Sequence, residues 1–180
     1  LMSTRLPEYV DPWRLADLEK RMTGELELGR MPRLAGAVLG SEGNAVCEIR
    51  FEKGSGGRPL IRGRVRAVLA LQCQRCLEQL AFPVDAAMNL AVIEAAEEAV
   101  RLADEFDPVL AEDGRIRLRE LIEEELLLAI PQVPRHDPAA CAVDSRIMAA
   151  SPPTSGRQQE ATTKANPFAV LSGLKGLGES

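Results

Sequence analysis

The chain has 180 residues, enough for one domain of ordinary size with an appendage and too few for two well-buried ones. Its 46% hydrophobic and 27% charged residues are those of a soluble globular protein, and no apolar run approaches the ~20 residues of a membrane helix. The net charge of −5 speaks against a nucleic-acid partner until its distribution is read: residues 1–92 hold thirteen Lys and Arg against eleven Asp and Glu, residues 93–135 five against twelve, and residues 136–180 four of each.

Asp11-Pro12 reads as a helix start, with Asp as cap and Pro at the first helical position, and Leu15, Leu18 and Met22 follow at helical spacing until Gly24. Glu25 to Leu28 alternates as a short strand, and Met31 to Leu39 is ambiguous. Val46 to Phe51 and Leu60 to Leu71 read as strands joined through Lys53-Gly54-Ser55-Gly56-Gly57. Leu80 to Val92 continues as a strand, Glu94 to Glu105 is a loose acidic helix or a mobile loop, and Asp107 to Leu110 is an edge strand before the turn Glu112-Asp113-Gly114. Leu118, Leu121, Ile122, Leu126, Ala129 and Ile130 mark one face of a helix that Pro131 ends. Glu120, Glu123, Glu124 and Glu125 then form its solvated face.

From residue 151 to 165 the composition turns to Ser, Pro, Thr, Gly and Gln, a flexible linker between a single α+β domain over 1–150 and a short helical motif over 166–180. In that motif Asn166 caps, Pro167 opens the helix, and Phe168, Leu171 and Leu174 make a stripe expected to dock on its own domain or on a partner. The expected fold class is α+β, an antiparallel sheet packed by helices, with a C-x-x-C hairpin tip and a tethered C-terminal helix.

Chemistry concentrates in the cysteines. Cys73 and Cys76 lie between two strand-like runs, and His136 and Cys141 follow about sixty residues later. Two thiols at C-x-x-C spacing turn toward one point, and a distant imidazole and thiol complete the N/S set that zinc prefers. The competing reading is reduced thiols packed as small hydrophobes. No apolar signal core precedes Pro7, so a cytoplasmic location without structural disulfides is expected. Cys47, Ile49 and Phe51 alternate with Val46, Glu48 and Arg50, which places Cys47 in the core. A thioredoxin-type redox site needs a helix N-terminus behind its thiols, and a hairpin tip supplies none.

Arg62, Arg64 and Arg66 alternate with Ile61, Gly63, Val65 and Ala67, putting three guanidiniums on one strand face about 6.6 Å apart, with Arg75 beyond them at the C-x-x-C turn. That stripe suits a phosphate backbone, and its competing reading is a solvated sheet face. None of Tyr9, Trp13, Phe51, Phe82, Phe106 or Phe168 interleaves with it, so any RNA contact is expected to read backbone and shape rather than stacked bases. The glutamates of the late helix and the pair His136 and Cys141 form no recognisable catalytic arrangement.

Several separated segments together resemble one family. Leu6-Pro7 and Val10-Asp11-Pro12, then Cys73-Gln74-Arg75-Cys76, then Glu123 to Pro131 with Val133-Pro134, His136 and Cys141, and finally Asn166 to Leu171 with Leu174-Lys175, are similar to the YceD family of bacterial large-subunit ribosomal RNA accumulation proteins. The resemblance implies a non-enzymatic ribosome biogenesis factor supporting synthesis, processing or stability of 23S ribosomal RNA. The expected partners are that RNA or its precursor, with ribosomal proteins as a further class and no membrane. It assigns no site residues, so those expectations rest on the residues themselves: Arg62, Arg64, Arg66 and Arg75 for RNA, Cys73, Cys76, His136 and Cys141 for zinc, and Asn166, Phe168, Leu171 and Leu174 for docking. Two other functions stay open, an adaptor whose acidic stretch from Glu94 to Glu125 binds ribosomal proteins, and a thiol oxidoreductase using Cys73 and Cys76.

Overall fold

The computed structural model describes residues 6–142, all within a first compact unit, Leu1–Met148. Its elements are β1 (Tyr9–Val10), α1 (Pro12–Asp17), β2 (Arg21–Glu27), α2 (Pro32–Ala35), β3 (Asn44–Lys53), β4 (Pro59–Gln72), β5 (Gln79–Ile93), β6 (Asp107–Leu110), β7 (Ile116–Arg117) and α3 (Leu118–Ala129). The expected linker over 151–165 and helix over 166–180 lie outside the described residues. No helix among the described residues is long and apolar enough to cross a membrane.

A five-stranded sheet in the order β2-β3-β4-β5-β6 organises the α+β fold, and β1 and β7 pair separately. Strict alternation fixes its register: Ala45, Cys47, Ile49 and Phe51 of β3 face Val65, Ile61 and their neighbours on β4 from one side of the sheet, while Glu48, Arg50, Arg62, Arg64 and Arg66 stand on the other. β4 and β5 pair along their whole lengths, from Leu60 opposite Ala91 to Gln72 opposite Gln79, so residues 73–78 form the tip of a hairpin. The sheet is mixed rather than wholly antiparallel, because β6 runs parallel to β5, with Leu90 opposite Asp107. A parallel neighbour demands a crossover. Residues 94–106 supply it, and they cover the outward Ala91 and Ile93, which are 1% and 4% exposed. Arg58 ties this crossover down, donating to the Val92 carbonyl and pairing with Glu98 at 2.8 Å.

α1 is shorter than its spacing predicts. Asp11 does cap it, accepting from the Arg14 N–H at 3.0 Å, but the helix ends at Asp17, Glu19 takes a positive φ of 46°, and Met22 and Gly24 belong to β2. Leu18, expected on the buried stripe, is 64% exposed. Pairing of Arg21–Glu27 with β3 along seven positions outweighs a helical spacing that three apolar residues satisfied by coincidence.

The helices cover the inner face of the sheet, with α1 against β3 and β4 and α3 against β4 and β5. One residue of the acidic run on α3 is not solvated. Glu123 is 1% exposed, and its carboxylate accepts from the Arg33 N–H at 2.6 Å and the Leu34 N–H at 3.0 Å, capping α2, with the Arg33 Nε at 3.4 Å. Buried carboxylates survive only with such partners. At the centre of the inner face, a Cβ on Gly63 would stand 2.5 Å from the Glu48 carbonyl oxygen and 2.6 Å from the Met88 methyl.

Replacing Glu123 by Ala is expected to cost about 3 kcal/mol in urea unfolding, since it leaves the Arg33 and Leu34 N–H groups at the start of α2 without their acceptor. The same change at Glu124, whose exposed carboxylate also meets Arg33, should cost under about 1 kcal/mol. Gly63→Ala should cost roughly 1–3 kcal/mol, because the backbone of β3 cannot yield as a side chain does.

Candidate functional site

The β4–β5 tip begins where the ladder ends. Cys73 N–H donates to the Glu78 carbonyl at 2.9 Å, Leu77 N–H donates to the Cys73 carbonyl at 2.9 Å, and Leu77 takes a φ of 62°, which turns the chain tightly enough to bring both thiols to one side. The segment after α3 is tied to this turn through the backbone: Gln74 N–H donates to the Pro134 carbonyl at 2.8 Å, and His136 N–H donates to the Cys73 Sγ at 3.5 Å. Cys141 arrives just after the short turn Pro138–Ala140. One donor atom each from Cys73, Cys76, His136 and Cys141 therefore lies within 4.8 Å of all the others. The four residues singled out in the sequence are brought together.

The imidazole is held in a defined way. Its Nε2 lies 3.1 Å from the Gln79 carbonyl, which only accepts, so the ring donates there through Nε2 and turns Nδ1 toward Cys76 Sγ at 3.4 Å. Cys73 is fully buried and Cys141 nearly so, while Cys76 and His136 are half-buried. Burial pushes the Cys73 thiol up, but the backbone N–H groups of Cys76, His136 and Arg75 outweigh it, together with the Cys76 side chain, and hold it down at about 5. Cys76 moves the other way: its backbone contact at Glu78 lowers it, and burial with the neighbouring Cys73 and Cys141 raises it on balance. Cys47 stands apart in the core, 0% exposed, its thiol pushed up to about 12 by burial alone.

Three soft sulfurs and one neutral imidazole nitrogen are the donor set of a closed structural zinc site. For bonds of ~2.3 Å the donors of a tetrahedron stand about 3.8 Å apart, so the spread here needs only a small contraction. The residues fit the ion.

The arginine stripe lies on the outer face of the sheet as its alternation predicts, and each of its guanidiniums meets a carboxylate. Arg64 pairs with Asp85 at 2.9 Å, Arg66 with Glu48 at 3.1 Å and Asp85 at 3.6 Å, and Arg62 with Glu52 at 3.6 Å. These carboxylates sit on the flanking strands β3 and β5, so strand spacing along β4 alone gave no sign of them. Nor did it show that Phe106, from the crossover, lies over Arg62 with its ring centre 5.5 Å from the guanidinium carbon. Arg75 belongs to the turn and makes its own polar contact. Asn166, Phe168, Leu171 and Leu174 lie outside the described residues.

Comparison with known proteins bears on residues from β4 onward and on the whole length. The family model described as large ribosomal RNA subunit accumulation protein YceD matches residues 61–175, a span that holds all four metal-type donors. A protein of Haemophilus influenzae named "Large ribosomal RNA subunit accumulation protein YceD" is 28% identical over 178 residues, covering 97% of this chain and 99% of the relative. No solved structure matches.

The lowered Cys73 thiol links the stability of the metal-free protein to pH. A thiol at about 5 when folded and 9.0 when unfolded binds fewer protons in the fold, so unfolding free energy should rise with pH between those values and lose this contribution as pH falls through 5. The raised Cys76 acts with opposite sign above 9.0. Thermal unfolding of chelator-treated protein across that window should show the slope, and Cys73→Ser should flatten it.

Proposed function

The chain belongs to the YceD family of large ribosomal RNA subunit accumulation proteins, and from that membership we propose that it is a non-enzymatic, cytoplasmic ribosome biogenesis factor supporting the synthesis, processing or stability of 23S ribosomal RNA. The observation that carries the reading is the near end-to-end match to a relative bearing that name. We further propose that Cys73, Cys76, His136 and Cys141 hold one zinc ion, on the strength of their convergence and of His136 Nδ1 turned toward Cys76. Zinc would act there as a cross-link, fastening the β4–β5 tip to the segment after α3, and its binding energy would add to folding energy. RNA or an assembly intermediate is the partner this reading requires.

The adaptor alternative rests on the acidic surplus of residues 93–135, and one of those carboxylates, Glu123, is consumed inside the fold. The thiol oxidoreductase alternative has the lowered Cys73 thiol in its favour. Against it, Cys73 is 0% exposed, whereas exchange requires a sulfur that a substrate can attack.

Elemental analysis of protein purified without a metal-affinity tag should find about one zinc per chain, lost in a Cys73→Ser, Cys76→Ser double variant. A metal-free, fully stable wild type that cycles reversibly between dithiol and disulfide would move the assignment to the oxidoreductase. For the RNA reading, cells depleted of the protein should lose large-subunit RNA relative to small-subunit RNA, and cross-linking should recover the large-subunit precursor. Recovery of ribosomal proteins without RNA would favour the adaptor.

A further inference from the structure

The pairings across the sheet reveal an arrangement that runs at right angles to the stripe on β4. Arg21 of β2 stands directly opposite Arg50 of β3, and Arg50 directly opposite Arg62 of β4. All three are exposed and share the outer face, on strands about 4.8 Å apart. Like charges directly opposite one another destabilise a sheet, so three in a row are a local cost to the fold. One carboxylate serves the row: Glu52 contacts Arg50 at 2.8 Å and Arg62 at 3.6 Å, and its own side chain is only 26% exposed. Arg21 forms no ion pair among the described residues. The next two positions along the sheet differ, since Glu48 and Asp85 there match Arg64 and Arg66.

We propose that the transverse row Arg21, Arg50 and Arg62, not the lengthwise stripe, is the face that grips the phosphate backbone of RNA. The row carries three positive charges against one negative, so a polyanion supplies what the fold leaves out. Guanidinium forks take phosphate oxygens in pairs, and each neutralised phosphate releases counterions. Phe106 lies over Arg62 and limits its freedom, leaving a side chain that is 48% exposed and already oriented. Glu52 bridges two of the forks and spaces them. Contact through backbone charge also accounts for an RNA face on a protein of net negative charge. This proposal rests on the ribosomal RNA reading for the identity of its polyanion.

The test measures binding of the full chain to a transcript of large-subunit ribosomal RNA and, separately, to inorganic polyphosphate, each across a salt series. Arg21→Gln with Arg50→Gln is expected to weaken RNA binding by about tenfold or more and to reduce the log–log salt slope by about 1.4–1.8, the share of two phosphate contacts. Arg64→Gln with Arg66→Gln should change affinity by less than about twofold. Arg21→Gln alone should weaken binding while leaving the thermal midpoint unchanged or higher, since it relieves a like-charge contact and removes no ion pair. That combination separates a contact residue from a structural one.

Wild-type affinity in the Arg21, Arg50 double variant overturns the row, and an equal loss from Arg64 and Arg66 returns the contact to the stripe. Row-dependent binding to polyphosphate without binding to ribosomal RNA keeps the row and overturns the RNA reading. Row-dependent binding to polyglutamate in preference to either overturns the proposal in favour of an acidic protein partner.

Discussion

Everything described here hangs on the pairing of β4 with β5. These two strands match residue for residue from Leu60 and Ala91 to Gln72 and Gln79, and that single ladder decides which side chains point inward. With the register set, Ile61, Val65, Leu69 and Leu71 meet Val84, Met88, Leu90 and Val92 under the helices, and the charged set is sent to the opposite face. A slip of one residue would exchange the two faces and bury the arginines. The ladder also places the two candidate regions: its closed end carries the thiols, and its open end feeds the crossover that brings Phe106 over Arg62.

Two polar contacts then attach elements far apart in sequence to this frame. Glu123 holds α2 to α3 from within the core, and the backbone of Pro134 and His136 holds the chain after α3 to the hairpin tip. The first is complete without any ligand. The second leaves four donors facing one another, three of them thiols that mutual repulsion would drive apart if all were ionised, a conflict that a divalent cation would resolve. The His136 N–H donates to the Cys73 sulfur, and the nearby backbone of Cys76 and Arg75 likewise favours the thiolate there.

The sequence made legible those features that depend on neighbours along the chain. Alternation gave β3, β4 and β5 within one or two residues, the Pro131 stop gave the end of α3, and Asp11-Pro12 gave the start of α1. The spacing of Cys73 and Cys76, with the lone histidine and a later cysteine, pointed to the four side chains that converge. What stayed hidden depends on pairing between distant segments. The end of α1 is decided by β3 capturing residues 21–27, the direction of β6 by a crossover over the outer face, and the burial of Glu123 by the N–H groups of α2 ninety residues away. The arginines follow the same rule. Alternation located Arg62, Arg64 and Arg66, whereas their carboxylates and the row formed with Arg21 and Arg50 exist only once the register is known.

The wide separation of the donors has a temporal side. The hairpin is a local structure whose strands are joined by a six-residue tip, so it closes quickly and early once its residues are available. Two of the four donors belong to it, and the other two come from a segment about sixty residues further along the chain. On a chain made from its N-terminus onward, the C-x-x-C pair is therefore exposed as a half-site until α3 has packed and residue 141 has emerged. Convergence of the four donors thus waits for the segment after α3, and that late step is the one that buries Cys141 beside Cys73.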